Sequence, residues 1–165
     1  MNKELVMLVA EDDPNDVTLL QHALKRNNID ARAEIVADGD QVIKYLRGDG
    51  AFGDRVRHPF PDLVLLDLKM PLVSGVEVLE WLGREHECPE LPVIMLSGSG
   101  LSADVERAYR LGVKTYFTKP QSVAELSELL RLVVNYWTHS HRPRTADTNG
   151  TRVTDSQMLH QTPPA

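Results

Sequence analysis

Five short runs of apolar and β-branched residues recur along the chain, at Leu5–Ala10, Ala33–Val36, Leu63–Leu66, Val93–Leu96 and Thr115–Thr118. Three of them are nearly continuous rather than alternating. A strand wetted on one face alternates apolar with polar residues; a strand covered on both faces does not. The runs therefore predict strands of a parallel sheet with helices packed on its two sides.

The segments between them have helical spacing. Val17, Leu20 and Leu24 share a face behind Asp13-Pro14, a cap followed by a residue suited to the first helical position. Val42, Ile43 and Leu46 mark a second helix, and Val76, Leu79 and Leu82 a third. Val105, Ala108 and Leu111 mark a fourth, expected to open at Ser102 and stop at Gly112. Ser122-Val123-Ala124-Glu125 reads as a capping box at the start of a fifth. The order is (βα)5, an α/β doubly wound fold, whose crossovers are right-handed. In such folds the chemistry sits beyond the carboxyl ends of the strands.

Residues 1–137 are read as one domain, and 138–165 as a polar tail too poor in apolar residues to offset its ordering entropy, expected to be disordered. The net charge of −6 opposes phosphate backbones and anionic lipid, so neither nucleic acid nor membrane is expected as a main partner. No apolar run reaches the length of a secretory or membrane-spanning segment, so a cytoplasmic location is expected. A single cysteine, Cys88, excludes an internal disulfide and a multi-cysteine metal cluster.

The residues following the strands are chemically loaded. Glu11, Asp12 and Asp13 follow the first, Asp67 the third, Ser97 ends the fourth, and Lys119-Pro120 follow the fifth. Asp, Ser and Lys-Pro each commonly start loops, but reactive groups at four strand ends together demand another reason. Clustered carboxylates repel unless neutralised, and a hard divalent cation such as Mg²⁺ suits an all-oxygen set. A carboxylate beside such an ion is a competent nucleophile toward phosphorus. Lys119 and the Ser97 hydroxyl can then hold phosphoryl oxygens.

The stretches Val6-Met7-Leu8-Val9-Ala10-Glu11-Asp12-Asp13-Pro14, Asp62 to Pro71 with Gly75, Val93-Ile94-Met95-Leu96-Ser97-Gly98 and Tyr116-Phe117-Thr118-Lys119-Pro120 resemble the receiver domain of two-component response regulators. The resemblance covers residues 4 to about 137. It implies a flavodoxin-like sheet of order 2-1-3-4-5. It implies Asp67 as phosphoacceptor, with Asp12 a direct Mg²⁺ ligand, Glu11 acting through water, and Lys69 giving its backbone carbonyl to the metal. Asp13 becomes a third acid and helix cap. Ser97 and Tyr116 become a switch pair, and Lys119 the phosphate-binding lysine, joined to Pro120 by a cis peptide. The implied partner is a sensor histidine kinase. The implied output surface is the fourth helix, fifth strand and fifth helix. The protein would be a phosphoacceptor that promotes its own phosphotransfer and dephosphorylation, not an enzyme acting on other substrates.

Asp12 and Asp67 are separated by more chain than is usual for this family, and the excess falls in 48–61. With the absence of helical periodicity after residue 137, that makes the chain similar to stand-alone regulators that partner phytochrome-type kinases. Output is then by protein contact rather than by DNA binding. Lys69 is expected at the mouth of the site, where attacking water approaches, and Gly98 leaves room for a kinase histidine. Two other readings remain open at this point: a Mg²⁺-dependent α/β phosphohydrolase, and a pseudo-receiver that binds partners without phosphorylation. The first usually carries a second Asp two residues after the nucleophile, where this chain has Lys69.

Helix five carries two apolar stripes. Val123, Leu126, Leu130, Val133 and Trp137 suit the sheet; Leu129, Leu132 and Tyr136 are left over and predict a homodimer through this helix. His22, His58 and His86 lack ligand spacing, and Arg55-Val56-Arg57-His58 is too small for a nucleic-acid patch.

Overall fold

The computed structural model describes residues 4–85 and 90–140. It contains five parallel strands in the order β2-β1-β3-β4-β5. These are β1 (Leu5–Ala10), β2 (Ala31–Val36), β3 (Leu63–Leu66), β4 (Val93–Ser97) and β5 (Thr115–Thr118). The helices are α1 (Pro14–Arg26), α2 (Gly39–Arg47), α3 (Gly75–Arg84), α4 (Ser102–Arg110) and α5 (Val123–His139), with a 3₁₀ turn at Gly50–Phe52. The three continuous apolar runs are the three central strands, buried along their whole length. The edge strands β2 and β5 are only half-buried, which is why their sequences carry polar residues.

Two apolar layers sandwich the sheet. Leu20 and Ala23 of α1 and Leu126, Leu130 and Val133 of α5 meet Met7, Leu65 and Ile94 on one side. Val42 and Leu46 of α2, Val78 and Leu79 of α3 and Ala108 of α4 meet Leu8, Leu66 and Met95 on the other. The α1–α5 contact is pinned by Ser127, fully buried, whose hydroxyl donates to the Ala23 carbonyl at 2.6 Å.

Several local expectations are corrected. At α4 the cap position is Leu101, without a side-chain cap bond, and Ser102 is the first helical residue. Only half of the box at α5 forms, with Ser122 Oγ accepting from Glu125 N–H. The complete box belongs to α3, where Ser74 and Glu77 satisfy each other's backbone donors. The Lys119–Pro120 peptide is trans, not cis. Trans is the isomer that an X–Pro bond favours by about 0.5–1 kcal/mol when nothing selects the other. Leu129 does not stand free: it packs partly buried against the core beneath α5, because the α1–α5 contact widens the buried face of that helix. Helix α5 runs two residues past the boundary drawn at 137. The expectations for the tail beyond Ser140, and for His86 and Cys88, lie outside the described residues.

The long 48–61 segment is built onto the molecule. Gly48 ends α2 in the left-handed region, at φ 75°. The Arg55 guanidinium lies against it and donates to the carbonyls of Tyr45 and Leu46 in the last helical turn at 2.8 Å each, the Tyr45 carbonyl also accepting from Gly48 N–H. Arg55 also lies over the Tyr45 and Phe60 rings. Tyr45, fully buried, donates to the Pro59 carbonyl, and the Tyr45, Phe52 and His58 rings form a cluster closed by His58 against Glu34. This packing is at the amino-terminal end of the sheet, opposite the loops that follow β1 and β3.

Candidate functional site: an acidic pocket closed by a lysine

The register of the central strands decides where the acids go. Ala10 of β1 pairs with Leu66 of β3, so the residues after them, Glu11 and Asp67, emerge side by side. Asp67 N–H donates to the Ala10 carbonyl at 3.2 Å and Glu11 N–H to the Val36 carbonyl at 3.0 Å, extending the sheet by one step at each strand end. Both carboxylates are only 7% exposed, so they face one another in a medium that screens poorly. Glu11, Asp12 and Asp67 each offer an oxygen within 4.8 Å of the others, with Asp12 the exposed member.

Lys119 closes this pocket from β5. Its Nζ lies 2.6 Å from Glu11 Oε2, 2.7 Å from Asp16 Oδ2 and 2.8 Å from Asp67 Oδ2. An ammonium has three N–H donors, and here each has a carboxylate. Burial by itself would depress the ammonium. The bonds to Asp16, Asp67 and Glu11 more than reverse this, holding Lys119 above its ordinary 10.5. Glu11 is raised as well, which favours its neutral form where the Lys119 shift favours the charged one: burial lifts its carboxyl above the ordinary 4.5, against the bonds from Lys119 and the Asp13 N–H, and Asp67 repels it further. The two directions are compatible, since Lys119 collects three acids while Glu11 has only a share of one cation.

Asp13 is spent as the cap of α1, its Oδ1 accepting from Asn15 N–H at 2.8 Å, and does not join the trio. Ser97 is buried at the end of β4, and Lys119 N–H donates to its carbonyl at 2.8 Å. The pairing of Ser97 with Thr118 thus brings hydroxyl and ammonium to one strand end. Tyr116 packs its ring against the core and donates from its hydroxyl to the Ser99 carbonyl at 2.7 Å, so it grips the loop that follows Ser97. A Cβ at Gly98 would meet nothing within 4 Å, so the space beside its backbone is open. Lys69 is exposed, and its N–H reaches Asp67 Oδ1 at 3.4 Å.

Sequence reasoning missed Asp16. The available signal was its place in the first turn of the helix that opens at the end of β1, one helical turn beyond Asp12. It also passed over the reason for Gly75: a Cβ there would lie 2.2 Å from the Asp67 carbonyl, so only glycine lets α3 start against the Asp67 backbone.

The chain is similar to known proteins in sequence and in fold. The profile of the response regulator receiver domain matches residues 7–131. The response regulator Rcp1 of Synechocystis is 32% identical over 136 residues, 82% of this chain and 90% of its own. Its structure in the Mn²⁺-bound form superposes with a TM-score of 0.72 at 30% identity, covering 84% of this chain and 97% of its own. RPA3017, a response regulator in red light signaling of R. palustris, has a TM-score of 0.80 at 34% identity over 86% of this chain and 99% of its own. The phosphorylated cyanobacterial phytochrome response regulator RcpA has a TM-score of 0.75 at 28% identity, over 85% of this chain and 98% of its own.

Proposed function

This chain belongs to the response regulator receiver family, and from that premise we propose that Asp67 is the phosphoacceptor of a relay fed by a phytochrome-type sensor histidine kinase. The observation that carries the reading is the 2.8 Å contact between Lys119 Nζ and Asp67 Oδ2 in a pocket shared with Glu11. An Asp67 oxygen attacks phosphorus and the P–N bond to the kinase's phosphorylated imidazolium breaks; its electron pair stays on nitrogen, so the ring leaves as neutral imidazole with the proton it already held on its other nitrogen. An acyl phosphate remains on Asp67. The charge added there meets the Lys119 ammonium, which already lies beside Asp67 and has only to exchange carboxylate oxygens for phosphoryl oxygens. Open space at Gly98 admits the imidazole.

Glu11, Asp12 and Asp67 fit a hard cation by donor type and spacing. They would hold Mg²⁺ together with the Lys69 carbonyl, Asp12 directly and Glu11 through water, with Asp13 supporting as cap. The ion would supply neutralisation of phosphoryl oxygens. Ser97 and Tyr116 serve as the switch: the Ser97 hydroxyl moves to the phosphoryl group, and Tyr116 follows through the loop it grips at Ser99. Pro120 closes the turn behind Lys119. The receiver is taken to run to the end of α5 at His139, two residues past 137, with the tail beyond it. The α4–β5–α5 face, with Leu132 and Tyr136 exposed, carries the output and a homodimer contact in the cytoplasm. The phosphohydrolase and pseudo-receiver readings are not favoured, since Lys69 replaces the second acid of the former and the acceptor set argues against the latter.

The test is intact mass after treatment with acetyl phosphate and Mg²⁺. The expected result is a gain of one phosphoryl group, lost on removing Mg²⁺ and in Asp67→Asn. A protein that gains nothing, or gains equally as Asp67→Asn, defeats the reading.

A further inference from the structure

Three acids hold Lys119, and they are not equivalent. Glu11 and Asp67 belong to the trio whose oxygens can take a cation; Asp16 does not. A dication attracts a carboxylate oxygen with twice the charge of an ammonium, so the two compete unevenly for Glu11 and Asp67. Whatever those acids give to the ion they withdraw from Lys119. Asp16 also comes from a separate element, the first turn of α1, fixed in place by the Asp13 cap and Pro14.

We propose that Asp16 is a positioning residue for phosphoryl transfer, tethering Lys119 Nζ beside Asp67 once a divalent cation has drawn off Glu11 and Asp67. The inference rests on Asp67 being phosphorylated beside that cation. With one N–H bound to Asp16, the ammonium keeps two for phosphoryl oxygens. The competing account makes Asp16 a surplus negative charge at the rim; its side chain is 36% exposed against 19% for Lys119. The two accounts differ in sign. Removing a surplus charge favours an anionic donor and speeds phosphorylation, whereas removing a tether slows it.

The experiment uses the full chain as wild type, Asp16→Ala and Asp16→Asn. Reductive methylation of Lys119 is followed by peptide mass spectrometry, with Lys25 and Lys114 as internal references. In EDTA, Glu11 and Asp67 still hold the ammonium, and labelling of Lys119 stays low in all three proteins. In Mg²⁺, Asp16→Ala labels several-fold faster than wild type, and Asp16→Asn, which keeps an acceptor oxygen, falls between. A loss of α1 stability would expose Lys119 alike in both buffers and would overturn the proposal. In the same Mg²⁺ buffer, phosphorylation of Asp16→Ala by acetyl phosphate slows by about tenfold or more, as expected when a catalytic group loses its placement. Equal labelling in Mg²⁺, or a rate at or above wild type, overturns the tether while phosphorylation of wild type leaves the Asp67 reading standing. A wild type that takes no phosphate removes both.

Discussion

Glu11 touches an ammonium at 2.6 Å, yet its carboxyl is raised, because burial outweighs its share of Lys119. A carboxyl with a folded pKa above its unfolded 4.5 binds more protons folded than unfolded in that window, so its contribution to stability falls as pH rises through it. Ionised Glu11 is therefore a cost near neutral pH, and the gain from removing it vanishes below pH 4.5. Glu11→Gln is expected to raise the melting temperature at pH 7 without divalent cation, and to weaken Mg²⁺ binding; calorimetry in EDTA and a Mg²⁺ titration check both. Lys119 is shifted the same way in a higher window: its raised value makes its contribution fully present below pH 10.5 and lost only as pH rises beyond, so near neutrality it stabilises where ionised Glu11 costs. Lys69 is exposed, two residues after Asp67, and is proposed to shield the site from water. Lys69→Ala is expected to shorten the lifetime of the phosphorylated protein, read as decay of the phosphorylated mass; equal lifetimes dismiss the role. Glu11, Asp12, Asp67, Ser97 and Lys119 were legible because each follows or ends a strand, and strand ends converge by topology. Asp16 was not, because its part depends on which way one helical turn faces the sheet edge.

At the level of elements, the apolar runs found the strands well because both-face burial leaves a continuous signature, and β2 was drawn short because edge residues Ala31 and Arg32 remain half-wet. Caps were read less well. Ser102 and Ser74 are both serines near a helix start, and only backbone geometry makes one the first helical residue and the other a cap. The 48–61 segment was recognised as long but not as structured, since its anchor is one arginine reaching back to carbonyls nine and ten residues earlier. Arg55→Ala is expected to destabilise the protein by about 2 kcal/mol through those two bonds and the ring contacts. Arg55→Lys should recover little, because a fork is needed to meet two carbonyls at once. Urea melts measure the loss, and phosphorylation by acetyl phosphate should persist, because the segment lies at the opposite end of the sheet.

For the whole molecule, the doubly wound sheet gathers the acids and Lys119 at one end and leaves Leu132 and Tyr136 of α5 exposed, the face proposed for contact. Leu132 and Tyr136, 55% and 66% exposed, are the part of the predicted stripe that remains outside after Leu129 is taken into the core. Tyr136 meets the Trp137 ring edge-on at 5.0 Å, giving an ordered aromatic edge. Sedimentation at high micromolar concentration should show a dimer that Leu132→Lys with Tyr136→Ser converts to monomer; a monomeric wild type with and without phosphorylation dismisses it. No helix among the described residues is long and apolar enough to cross a membrane. The central claim, that the strand ends converge to place a phosphoryl group on Asp67, is tested most directly by borohydride trapping. An acyl phosphate on Asp67 is reduced to homoserine, and fragmentation of the peptide spanning Asp62 to Lys69 should locate homoserine at position 67 alone. Homoserine at Asp12 or Asp16 instead, or none after the protein has gained phosphate, would contradict the account.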